Sequence, residues 1–140
     1  MTPWEAMTRI DTLLAHVWMV RAFLKHCEES EEDEDLAEVH RTLYDYMLAL
    51  GPSLQANDAP AYLKQANKKY KKLLRAMELF GEIQPEISNH TNFQMAVRSL
   101  QTAVAQIGEL LIQACASAEL AIPDAGANNS VDELTTPNND

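Results

Sequence analysis

Phe93, Val97, Leu100, Val104, Ile107, Leu111, Ala114 and Ala118 recur at alternating steps of four and three. Only an α-helix gathers such a series onto one face. A stripe nearly four heptads long must be buried, so the chain needs other helices to lay against it. It carries three more stripes. Ala6, Ile10, Leu13, Val17, Val20, Leu24 and Cys27 mark a helix from about Pro3 to Cys27. Leu36, Val39, Leu43, Met47 and Leu50 mark a second from about Glu34 to Leu50, which Gly51-Pro52 is expected to end. Leu63, Ala66, Tyr70, Leu73, Met77 and Phe80 mark a third, capped by Asn57 or Asp58 and stopped by Gly81. A longer connection, GEIQPEISNH, then leads to the fourth helix.

Start signals agree with these boundaries. Thr2-Pro3 with Glu5 reads as a capping box, and so does Thr91 with Gln94. Gly108 sits inside the fourth stripe, where Gly costs about 1 kcal/mol relative to Ala. A close approach by a neighbouring element would explain it. With four Gly and six Pro in 140 residues, turns must be few. The expected fold is all-α: an antiparallel up-down-up-down four-helix bundle over residues 1–121, followed by a disordered acidic tail over residues 122–140.

Charge narrows the function. The net charge of −10 opposes nucleic acid and anionic membrane surfaces. The apolar zone Leu13–Leu24 is interrupted by His16 and Arg21 and is shorter than the roughly twenty residues a membrane span needs. The opening MTPWEAM has no signal-peptide pattern. A cytoplasmic protein is expected.

Two charge runs stand out. EESEEDED, residues 28–35, has seven acids in eight positions. KQANKKYKKLLR, residues 64–75, has six bases and no acid. The acids read as an extended, solvated turn that could also serve as a docking tag. Lys64, Lys68, Lys71, Lys72 and Arg75 fall on one side of the third helix and form a candidate docking surface with charge selectivity. Tyr70 interrupts them but belongs to the core stripe, so it is not placed to stack on bases.

The first helix is apolar nearly all round. Met7, Leu14 and Trp18 form a second stripe beyond the core one, with Ala22 beside it, and Trp18 and Arg21 are the candidate anchors. Contiguous exposed apolar surface marks an interaction site, and Trp and Arg are favoured hot spots. The expectation is a homodimer or another protein partner covering this stripe. Burial within the monomer is the alternative.

Metal chemistry is the runner-up. The bundle places His26, Glu86 and His90 at one end, with His40 about a turn and a half below, a set that suits a divalent transition metal. The spacings contain no His-x-x-x-His, Cys-x-x-Cys or Glu-x-x-His, so the primary expectation is no cofactor. Cys27 and Cys115 lie roughly 35 Å apart along the bundle, too far for a disulfide, and both read as small core residues. The architecture resembles that of histidine phosphotransfer domains, which carry an exposed histidine on one helix. His40 stands in EVHRTLYDY, with Leu43 and Tyr44 where that pattern has a small or basic residue and a glycine. His40 is therefore read as structural. There is no nucleophile–base pair and no glycine-rich phosphate loop. A non-enzymatic interaction or accessory module is the expected role.

Overall fold

The computed structural model describes residues 1–116. The expected acidic tail lies outside them. Through the described residues the chain is all-helical: α1 Pro3–His26, α2 Glu29–Glu32, α3 Glu34–Gln55, α4 Ala59–Lys68, α5 Tyr70–Ile87 and α6 Thr91–Ala116. α1 packs against α3, α4 and α6, and α5 packs against α3 and α6. One cluster of buried side chains runs through all the long helices, with Ile10, Leu24, Leu43, Phe80, Leu100 and Ile107 among its fully enclosed members.

Several helix starts follow the side chains that cap them. Thr2 accepts from the Glu5 amide while the Glu5 carboxylate accepts from the Thr2 amide, each at 3.1 Å. Asp33 caps α3 through the Leu36 amide at 2.9 Å, and Asp58 caps α4 through the Ala61 amide at 3.1 Å. Asn57 turns the chain just before, with φ 59°, a left-handed conformation that Asn tolerates better than most residues. The fourth long helix starts differently from expectation. Thr91 is its first helical residue, and His90 Nδ1 accepts from the Asn92 amide at 2.9 Å. Gln94 donates instead to the Asn89 carbonyl at 3.0 Å.

Two expected stops do not hold. α3 continues through Gly51-Pro52 to Gln55, and α5 through Gly81 and Pro85 to Ile87. Proline removes one amide donor but its fixed φ suits a helix. Pro52 deprives the carbonyl of Leu48, an exposed residue where water can serve. Beyond Gly81, Ile83 and Ile87 still pack on the core, and that packing outweighs the breakers. The supposed loop is thus mostly helix.

The third predicted helix is, conversely, two. It breaks at Lys69 between α4 and α5. The Tyr46 hydroxyl of α3 donates to the Ala66 carbonyl at 2.9 Å, satisfying an acceptor at the end of α4. Just past the break, the Tyr70 hydroxyl donates to the Val104 carbonyl at 2.8 Å. That ring explains Gly108: a Cβ there would collide with the Tyr70 hydroxyl.

The acidic run is not an extended turn. Glu29–Glu32 form one helical turn, and Asp33 to Asp35 cap and begin α3. Ser30, its one uncharged residue, is buried and donates to the Leu24 carbonyl at 2.6 Å. It thereby closes the C-terminus of α1. Acids at the start of α3 also suit the helix dipole.

Candidate interaction surface

Helix α1 is apolar on several sides because it has neighbours on several sides. Met7 and Leu14 are 2% and 6% exposed and belong to the common core. They therefore do not line an open stripe, and their assignment to a partner surface is corrected. Phe23 is partly covered, packing edge-on against Phe93 of α6 with centroids 5.0 Å apart. Trp4 and Met19 of α1 are exposed outside the second stripe. Of that stripe the fold leaves outside only Trp18, 42% exposed, with the half-buried Arg21 one turn further on.

These two meet a residue that the sequence reading did not select. Tyr44 of α3 is 37% exposed, and its ring centroid lies 6.3 Å from that of Trp18. The Arg21 guanidinium carbon lies 4.6 Å from the Trp18 centroid and 4.5 Å from the Tyr44 centroid. Since the rings are so close to each other, the cation sits over the cleft between them rather than stacked between parallel faces. Both contacts are cation–π interactions. Arg21 Nε is buried without an acceptor, and no carboxylate among the described residues pairs with the guanidinium. The signal for Tyr44 was available: it lies off the core stripe of α3, one turn after His40 and Arg41, with exposed Leu48 one turn later.

His40 is half-buried on the same side of α3. Burial first, then the positive charges of Arg41, Arg21, Lys25 and His26, hold its imidazole below the ordinary histidine value. Every charged group acting on it is thus cationic. The carboxylates of Glu38 and Asp45 on α3 line a different groove, toward α5.

That groove, about 730 Å³, has Lys69, Lys72 and Arg75 opposite Glu38 and Asp45, over a floor that includes Val39, Tyr46 and Ala76. The basic run is therefore divided. Lys64 and Lys68 are exposed on α4, Lys71, Lys72 and Arg75 on α5, and the last two face acids across the groove. The single continuous positive face expected of one helix is not formed.

The metal set is not assembled either. Among the described residues, no three of His, Cys, Asp and Glu come together as a possible ion site. His26, Glu86 and His90 are all exposed, and His90 is engaged in capping α6. Cys27 is half-buried, but Cys115 is exposed rather than in the core, and both thiols are free. No helix among the described residues is long and apolar enough to cross a membrane.

Comparison with known proteins finds no matching family model, no matching curated protein and no matching solved structure. The surface must be interpreted from its own chemistry.

Proposed function

We propose that this chain is a non-enzymatic interaction module, an antiparallel up-down-up-down bundle that docks another protein through its α1–α3 face. The pairwise packing of α1 with α3, α3 with α5, and α5 and α1 with α6 supports that topology, since short connections favour antiparallel neighbours.

The observation that carries the docking role is the Arg21 guanidinium held over two exposed rings without a carboxylate partner. A buried unpaired donor such as its Nε costs about 1–3 kcal/mol. Stability alone does not call for a cation there. Exposed Trp, Tyr and Arg in contact are the side chains that most often carry binding energy.

A self-association route was expected from the sequence, and the charges now weigh against its two-fold form. A two-fold interface sets the same patch against itself. Here that would bring Arg21, Lys25 and Arg41 near their own copies. A different chain is the better occupant.

Light scattering after size exclusion should give a monomer at both low and high salt. A salt-resistant dimer abolished by Trp18→Ala would replace this reading with self-association. With wild-type and Trp18→Ala chains immobilised side by side, a protein retained only by the wild type supports the docking role. Equal retention by both chains rejects this face.

A further inference from the structure

We infer that the occupant of the α1–α3 face is an acidic protein segment, one carboxylate of which docks end-on against Arg21. This rests on the docking role proposed for that face and adds the chemistry of the partner.

Three observations lead to it. First, the two rings fix the guanidinium in position, so less side-chain freedom is lost when a ligand binds. Second, Nε is buried and unavailable, which leaves the two Nη groups, and no acceptor among the described residues engages them. An end-on pair of N–H donors matches the two coplanar oxygens of a carboxylate. Third, the charges that bear on His40, at the edge of this face, are cationic. Lys25 is exposed one turn beyond Arg21 on α1, and it acts on His40 together with Arg21, Arg41 and His26. A second carboxylate in the segment would meet Lys25, and an apolar side chain beside it would cover Trp18 and Tyr44. On a protein of net charge −10, such a site attracts acids only at short range, because the bulk field repels them. Binding should therefore need both the charge and the apolar contact.

The test is selection of twelve-residue peptides from a random display library on the immobilised full chain. The selected peptides should be rich in Asp and Glu next to an apolar residue. Their affinity should fall at least tenfold in Arg21→Ala. It should also fall in Lys25→Glu, which changes an exposed residue and keeps the fold, as checked by helical circular dichroism. Selected peptides that are basic or uncharged but still lose binding in Trp18→Ala would overturn the acidic chemistry and leave the docking face standing. Peptides that bind wild type, Trp18→Ala and Arg21→Ala alike would overturn both. Tighter binding of a single-stranded RNA oligomer than of any selected peptide, lost in Arg21→Ala, would assign the site to phosphate and overturn the acidic-segment proposal.

Discussion

The tyrosines around the α4–α5 break and the aromatic residues of the α1–α3 face differ in what their polar partners do. Tyr46 donates to the Ala66 carbonyl and Tyr70 to the Val104 carbonyl, at 2.9 and 2.8 Å, and Tyr62 reaches Asp11 at 3.5 Å. Burial, before any nearby charge, pushes all three phenols above their ordinary values. Each ties one helix to another. Trp18 and Tyr44, by contrast, lie half outside and hold only a cation that has no anionic partner. Where the polar groups are satisfied internally, the aromatic side chains build the fold. Where they are left unsatisfied at the surface, they are available to something else.

The largest effects should separate the two regions outright. Tyr62 is fully buried, so Tyr62→Ala should cost about 3–5 kcal/mol of stability through the cavity it leaves. Trp18→Ala should cost about 1 kcal/mol or less and leave the urea slope unchanged. If urea unfolding gave both variants the same loss, Trp18 would be a structural residue and the contrast would collapse.

Removing single hydroxyls sharpens the same contrast. Tyr46→Phe leaves the Ala66 carbonyl without its donor at the end of α4 and should cost about 1–3 kcal/mol. Tyr44→Phe keeps the ring under Arg21 and should change stability by no more than about 0.5 kcal/mol. Thermal melts of the two variants, compared with wild type, decide it.

Gly108 offers a smaller and more specific test. Gly108→Ala gains about 1 kcal/mol of helix propensity but forces the Tyr70 hydroxyl off the Val104 carbonyl. We expect a net loss of about 1 kcal/mol. Tyr70→Phe in the same chain should recover part of it, because the nearest clashing atom is gone. Strict additivity of the two changes would mean that Gly108 answers to something other than this ring.

The sequence was most readable where one rule acted alone. The α6 stripe and the Thr2–Glu5 box follow from spacing and capping alone, and a glycine inside a helix such as Gly108 signals a close neighbour without saying which one. Readings failed where a tertiary contact overrode a local signal. Gly81 and Pro85 look like stops, but Ile83 and Ile87 have a core to reach. Ser30 looks like one more polar residue in an acidic loop, yet its hydroxyl closes α1. At the candidate site, Trp18 stood out as part of a second apolar stripe on α1 and Arg21 as a break in its apolar zone. Tyr44 did not, because cross-helix pairing depends on the rotation of α3 against α1, which no one-dimensional pattern encodes. Met7 and Leu14 were misassigned for the same reason: a helix with neighbours on several sides needs more than one stripe.

The smallest expected effect concerns His40, which stands at the border between the buried core and the cationic face. Burial and then Arg41, Arg21, Lys25 and His26 favour its neutral form in the folded chain. In the unfolded chain it takes a proton at its ordinary value near 6.5. Above that pH both states hold a neutral imidazole, so His40 contributes no pH dependence. As the pH falls below it, the unfolded state protonates first and stability declines, levelling off once the folded imidazole is protonated too. His40→Gln should therefore flatten the stability profile slightly between pH 7 and the folded titration point, while the carboxylate-driven fall at lower pH persists. Proton resonances of the His40 ring should titrate below the ordinary range in wild type. They should move upward in Arg41→Gln, since one of the repelling charges is removed. A ring that titrates normally in both chains would mean that water screens this corner of the surface. The cations there would then act on a ligand only after the ligand had displaced that water.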